Sequence, residues 1–359
     1  MGSDNPHQIN GNNASGPPLP QMFARYKDRV EQELYRSVPA LEEDRLYGPL
    51  QYHLGWTNQH GAPVEAPTSQ GKALRPTLCM FACEALSGDT LRAMHAAAAI
   101  ELIHNFSLIH DDIQDHDYER RGQPTVWTLW GIPKALVAGD GMQALGDLAA
   151  LHSLQELPME TSLKVSSLLT ESYLEMIEGQ CLDLTFETST SVTADDYLQM
   201  IAFKTGALIR NALAIGAMLG DDNPTTTEAF AQFGNGLGRA FQIRDDFLGI
   251  WGDGITTGKS TDSDIRRRKK SFPIVFALEK ASGGAREDLL RIYQQDELDD
   301  DDVERVLAVL HEVGADEEAK RITRESAQRA IEALEGIELP NWARADAEEL
   351  VDFLATREF

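Results

Sequence analysis

Apolar residues recur at helical spacing along nearly the whole of this 359-residue chain, while period-two strand patterns are scarce. The spacing predicts helices near residues 21–36, 73–87, 90–118, 134–154, 161–179 and 195–219. It continues over 227–250, 272–282, 283–294, 301–313, 316–336 and 340–355. Punctuation rich in Gly, Pro and polar residues falls at 59–71, 120–133, 220–225, 252–266 and around Gly336–Pro340. No internal repeat and no linker follows residue 20. Residues 21–359 therefore read as one all-α domain, a large bundle that buries its core by helix packing. Hydrophobic residues make up 42% of the chain, enough to fill such a core. Residues 1–20 are polar and rich in Gly, Pro and Asn, and read as a disordered N-terminal tail. No run reaches the ~20 apolar residues that a bilayer-crossing helix needs, and no basic-then-apolar segment marks a secretory signal.

The formal net charge is −26, which argues against nucleic acid or an anionic membrane as partner. An anionic substrate would need local cations to reverse the sign of the field. Much of the acidity reads as solvated surface, including Asp296–Asp302, where carboxylates suit a helix N-terminus. Cys79 and Cys83 stand four apart in an apolar helical pattern with no companion pair of zinc spacing, so they read as buried free thiols. With Cys181 the only other cysteine, the set fits a reducing cytoplasm.

The segment 101–125, ELIHNFSLIHDDIQDHDYERRGQPT, carries the first chemical signal. A helix turns about 100° per residue, so His104, Asp111 and Asp115 share one face. Asp111 and Asp115 lie on successive turns, where hard oxygen ligands converge on a cation such as Mg²⁺. Arg120 and Arg121 follow at once, and guanidinium groups match phosphate oxygens bidentately. Lys72 and Arg75, three apart at the start of a predicted helix, can face one anion there. Gly206, in Phe203-Lys204-Thr205-Gly206, costs a helix about 1 kcal/mol relative to Ala; a kink, a close approach or plain helix packing would account for it. A second acidic pair, Asp245-Asp246, sits in FQIRDDFLG, and a run of five cations spans Arg266–Lys270.

Taken together, these segments resemble the trans-isoprenyl diphosphate synthase family. DDIQDHDYERRGQPT is similar to that family's DDxxD followed by RRGxPT, GKALRP to its GKxxRP, and Lys204-Thr205 to its KT pair. FQIRDDFLG resembles its FQxxDDxxD region with one departure: Gly249 stands where the third aspartate is usual, leaving water or Asp253 to complete that site. Gly258-Lys259 and RRRKKSFP resemble the flexible basic stretch that closes over the allylic diphosphate. The resemblance covers roughly residues 21–355 and implies an all-helical bundle around a central cavity.

By the same resemblance, Asp111, Asp115 and Asp245, supported by Asp246, hold magnesium, three ions per site. Lys204, Thr205, Gln242, Lys259, Lys269 and Arg120 form the catalytic set around the allylic diphosphate. Lys72, Arg75, His104 and Arg121 bind isopentenyl diphosphate. Phe106, five residues before Asp111, and Ser107 beside it set chain length. An aromatic at that position, with no insertion inside DDIQD, favours a C20 geranylgeranyl product over C15 farnesyl. The family also implies a homodimer. Two other readings stay open: a class I terpene cyclase, which needs neither GKxxRP nor RRGxPT, and a non-catalytic subunit of a heteromeric synthase.

Overall fold

In a computed structural model, the chain is described over residues 19–39, 46–64, 71–189, 191–252, 262–295 and 297–356. The expected helices are present with shifted ends. They are α1 (Gln21–Ser37), α2 (Tyr47–His53), α3 (Leu74–Ser87), α4 (Met94–Gln114), α5 (Val126–Trp130), α6 (Ile132–His152), α7 (Met159–Thr188) and α8 (Ala194–Ile201). Next come α9 (Ala207–Asp221), α10 (Pro224–Trp251), α11 (Ser263–Arg266), α12 (Phe272–Lys280), α13 (Gly283–Ile292), α14 (Asp300–Glu312), α15 (Ala315–Ala333) and α16 (Asn341–Thr356). The tail expected over residues 1–20 lies outside the described residues except for Leu19 and Pro20.

Helices α3, α4, α9 and α10 form the middle of the bundle. Small residues let them approach closely. Ala96–Ala99 of α4 are buried, and a Cβ on Gly216 of α9 would fall 2.2 Å from the Cys79 carbonyl oxygen of α3. Fully buried side chains such as Phe81, Ile100, Leu102, Ile103, Leu213 and Phe233 fill the main core, each worth about 1.5–3 kcal/mol of burial. Two smaller cores lie beneath the C-terminal half, one around Ile292, Val306 and Leu310, the other around Tyr197, Ile243 and Phe272. Cys79 and Cys83 are buried free thiols, as expected, while Cys181 is exposed on α7.

Three departures from the sequence reading matter for function. First, α4 was expected to run to residue 118 but ends at Gln114; His116 adopts a left-handed φ of 54° and turns the chain away. The aspartates thus crowd its carbonyl end, where negative charge is disfavoured. Second, the stretch after it folds into a small antiparallel hairpin, β1 (Glu119–Arg120) paired with β2 (Gln123–Pro124). Arg121 and Gly122 both have positive φ, 54° and 71°, the conformation of a two-residue turn that matches strand twist. Third, the expected helix over 195–219 is broken by a π turn over Ala202–Gly206. Gly238 of α10 allows a close crossing there: a Cβ on it would meet the Gly206 Cα at 2.9 Å, whereas a Cβ on Gly206 itself would meet only the Ile201 carbonyl oxygen, at 3.5 Å.

Candidate active site

The π turn, α4, α7 and α10 surround a cavity of about 660 Å³. Its walls bring together Arg75, His104, Phe106, Ser107, Asp111, Arg120, Lys204, Thr205, Gln242 and Asp245, ten of the residues singled out in the sequence. Leu108, Met176, Ile177, Leu184 and Phe241 add apolar lining. Asp111 and Asp245, from the two separate acidic segments, therefore face one space.

The first acidic wall is strained electrostatically. Burial, and then the neighbouring Asp115, push the Asp111 carboxyl up to about 6 even though Lys204 and Arg120 pull the other way. Asp115 is raised as well, by burial foremost and by Asp183 and Asp117. Asp112, one residue on, turns away from the cavity. It is 1% exposed, and its Oδ1 accepts from both Nε and Nη2 of Arg120 at 2.7 Å. The hairpin and Asp112 together aim Arg120.

Lys204 is held by the π turn above Gly179 of α7, where a Cβ would fall 2.2 Å from the Lys204 backbone N. Its ammonium donates to Asp183 Oδ2. Burial works against that charge, yet Asp183, Asp111 and Asp115 raise its pKa on balance. Thr205 Oγ1 donates to Gln242 Oε1 at 2.8 Å, and Gln242 Nε2 donates to Asp246 Oδ1 at 3.0 Å. Asp246 is fully buried, with Oδ2 accepting from the Tyr197 hydroxyl at 2.6 Å and the Phe272 amide at 3.1 Å. Burial lifts its carboxyl to about 6, against Lys269 and these donors. It anchors Gln242 from behind and, being fully buried, does not itself line the cavity that Asp245 faces, so the metal-site part expected for it is not one of direct contact with that space.

The Arg75 guanidinium donates through Nη1 to His104 Nε2 at 3.0 Å. Arginine has no acceptor, so His104 receives that bond on an unprotonated nitrogen. Burial first, then Arg75, Arg121 and Arg120, holds His104 well below its ordinary pKa and keeps it neutral. Burial likewise lowers Arg75 to about 10. Its Nε is buried without a protein partner. Lys72 and Arg121 face an adjoining cavity of about 390 Å³ beside Glu101 and Asn105. The Arg121 guanidinium packs on Gly71, where a Cβ would lie 2.6 Å from Nη2.

The basic run resolves residue by residue. Arg266 bonds Asp262 and Asp300, Arg267 reaches Asp117 at 2.9 Å, and Arg268 donates to the Gln295 carbonyl. Lys270 donates to the carbonyls of Phe186 and Glu187, capping the C-terminal end of α7. Lys269 is the member of the run that meets the acidic wall: burial opposes its charge, but Asp246, Asp264, Asp245 and Asp183 raise its pKa. Lys259 and Asp253 lie outside the described residues. At Gly249, a Cβ would fall 2.3 Å from Asp264 Oδ2, so a carboxylate from α11 occupies the space of the absent aspartate side chain.

Among the described residues, no three His, Cys, Asp or Glu side chains form a closed metal cage. The arrangement fits Mg²⁺ all the same, because that ion is usually held by one or two carboxylates plus phosphate oxygens and water. The raised carboxyl of Asp111 marks a wall short of positive charge. Asp112, Asp183 and Asp264 were not singled out from the sequence. Gly179, a glycine inside a long helix next to Gln180 and Asp183, was the one signal that could have pointed to the second of these.

A sequence model of the polyprenyl synthetase family matches residues 59–310. The chain is 40% identical over 303 residues to the geranylgeranyl diphosphate synthase of Mycobacterium tuberculosis, covering 84% of each protein. It is 36% identical over 314 residues to the (2E,6E)-farnesyl diphosphate synthase of Mycobacterium bovis, covering 86% of this chain and 85% of that one. Among solved structures, the geranylgeranyl pyrophosphate synthetase from Pyrococcus horikoshii superposes with a TM-score of 0.85 at 34% identity, over 94% of this chain and 99% of that one. A match of this extent, on a helical bundle whose two acidic segments meet across one cavity, places the chain in the polyprenyl synthetase family.

Proposed function

We propose that this chain is a Mg²⁺-dependent short-chain trans-prenyl diphosphate synthase that joins isopentenyl diphosphate to an allylic diphosphate, with a C20 product favoured over C15. The observation that carries this reading is the shared cavity of Asp111 and Asp245, with Lys204, Arg120 and Arg75 on its walls and an apolar, Phe106-bearing remainder. Asp111 and Asp115 on one side and Asp245 on the other would hold Mg²⁺, three ions per site. When bound, the metal would neutralise the allylic diphosphate and stabilise the charge that grows on it as it departs.

The protein's own groups do the rest. Lys204 and Arg120 meet the developing charge as the allylic C–O bond breaks, acting from fixed positions in a partly desolvated site. Thr205 and Gln242, locked in one orientation by Asp246, present polar atoms to the same group. Arg75 and His104, with Lys72 and Arg121 from the adjoining cavity, orient isopentenyl diphosphate so that its double bond faces the allylic carbon. The buried Arg75 Nε supplies a donor that a phosphate oxygen can satisfy. Apolar walls exclude water, which would otherwise trap the allylic cation as an alcohol. Released diphosphate takes the final proton, so no side-chain base is required.

Two separate cationic regions suit two diphosphates, which favours elongation over cyclisation of a single substrate. Exposed apolar side chains on α6 and α7, among them Leu136, Val137, Leu148, Leu163 and Leu174, at 43–57% exposure, support a homodimer. Among the described residues no helix is long and apolar enough to cross a membrane. The free thiols of Cys79 and Cys83 suit a reducing compartment, and on that ground we place the enzyme in the cytoplasm. The test is a Mg²⁺ assay of the purified protein with isopentenyl diphosphate and dimethylallyl, geranyl or farnesyl diphosphate, followed by measurement of product length. Elongation to C20 is expected. Hydrocarbon release from farnesyl diphosphate alone would point to a cyclase, and no turnover by the isolated chain to a non-catalytic subunit.

A further inference from the structure

The cavity wall beyond Asp111 contains a contact that neither the motifs nor the proposed reaction explains. His110 lies one turn beyond Phe106 on α4, and their rings meet edge to face with centroids 5.2 Å apart and planes at 82°. The imidazole is also pressed onto Gly139 of α6. A Cβ built there would fall 2.2 Å from His110 Nε2, 2.3 Å from Cδ2 and 3.1 Å from Cε1. Atoms that close cannot coexist, so only glycine lets the imidazole sit where it does. The ring is tethered in this notch through Nε2, which lies 3.1 Å from the Leu136 carbonyl oxygen. A carbonyl only accepts, which puts the proton on Nε2. Gly139 is buried, and both Phe106 and His110 line the cavity.

We propose that His110 and Gly139 are product-length determinants that act through Phe106: the glycine notch sets how far the imidazole stands back from the cavity, and the imidazole sets where the phenyl ring stops the growing chain. This inference rests on the proposed prenyl-transfer reading. A side chain at residue 139 drives the imidazole off its seat towards the phenyl ring and the cavity, because the α6 backbone blocks the opposite direction. Loss of the imidazole removes the support behind the phenyl ring and leaves space that an apolar chain can fill. The two positions therefore act with opposite sign, which a general loss of packing would not produce.

The experiment is a product-length measurement, with farnesyl diphosphate and isopentenyl diphosphate as substrates, on the full chain and on Gly139→Ala, His110→Ala and the double variant. Gly139→Ala should lower the ratio of long to short product by about tenfold, in line with pocket discrimination between chains differing by a few carbons. His110→Ala should shift products longer than those of the unsubstituted protein. The double variant should match His110→Ala, since the added methyl then has no ring to push. Unchanged lengths in both single variants, a shift of the same sign in both, or an additive double variant would each overturn the assignment. If the unsubstituted protein elongates nothing, the proposed function fails and this inference with it; normal elongation with unmoved product length defeats the inference alone.

Discussion

Replacing Asp112 by Ala tests the claim that the second aspartate of the first cluster is a clamp for Arg120 and not a metal ligand. Asp112 is 1% exposed, and both guanidinium contacts, each 2.7 Å, fall on its Oδ1. Hydrogen bonds to charged groups contribute about 1.5–3 kcal/mol each, so two would give about 3–6 kcal/mol. The carboxyl is nevertheless held above its ordinary pKa, with burial the largest cause and Arg120 only partly compensating. Removing it therefore also relieves a desolvation cost, and a net loss of about 2–3 kcal/mol is expected. For a domain this large that lowers the melting temperature by roughly 3–4 °C.

The freed guanidinium would then leave its aimed position, and misplacement by about 1 Å of a group that meets the reacting diphosphate costs on the order of 100-fold in rate. The assay is a double-mutant cycle of Asp112→Ala and Arg120→Ala, read by thermal unfolding and by kcat/KM for the allylic substrate. A coupling of about 2 kcal/mol is expected in both readouts, with the double variant little worse than either single one. Additive effects, or an Asp112→Ala protein within twofold of the original in kcat/KM, would refute the clamp.

Phe106→Ala should lengthen the product, because each added isoprene unit can then bury five more carbons, worth about 4 kcal/mol at about 0.8 kcal/mol per carbon; an unaltered product spectrum on chromatography would remove Phe106 from the floor. Burial first, then Arg120 and Arg121, holds His53 at about 3, whereas in the unfolded chain it titrates near 6.5. Its stabilising contribution is full above that value and is lost as pH falls towards the folded pKa, by about 2 kcal/mol at pH 5. His53→Gln should therefore flatten the fall in denaturant stability between pH 7 and pH 5 by that amount, and an unchanged slope would show that His53 does not titrate as described. Gly249→Asp, which restores the family's usual aspartate, should weaken Mg²⁺-dependent binding of inorganic pyrophosphate in calorimetry because Asp264 already fills that space. Tighter binding by this variant would count against that steric account.

Features set by local periodicity were legible in the sequence. The spacing of Asp111 and Asp115 placed them one turn apart at the C-terminal end of α4, with Asp115 as its cap residue, and the glycine in Lys204-Thr205-Gly206 marked a break that proved to be a π turn. Short elements escaped notice because five or seven residues, as in α5 and α2, span too few turns to display a period. The hairpin escaped for a different reason: its turn places Arg121 at a positive φ, a conformation that its side chain does not advertise. Partnerships between distant segments were invisible. Nothing near Asp112 says that it faces inward to Arg120 while its neighbour Asp111 faces the cavity, and nothing near Gly249 names Asp264. The basic run Arg266–Lys270 read as a single closing flap, yet four of its members are bound to other parts of the fold.

The π turn over Ala202–Gly206 also limits how this chain can be altered. An extra residue in a helical turn shifts the phase of everything beyond it, so α8 and α9 present faces that no single helical wheel can describe. Deleting one residue between 202 and 206 would remove the extra residue and let the chain run on as a regular α-helix, with α8 and α9 keeping their faces but the residues of the turn redistributed over a tighter coil. Lys204 and Thr205 would then swing off the cavity wall although their identities were untouched. Chimeras joined across this point must conserve residue count before they conserve residue type.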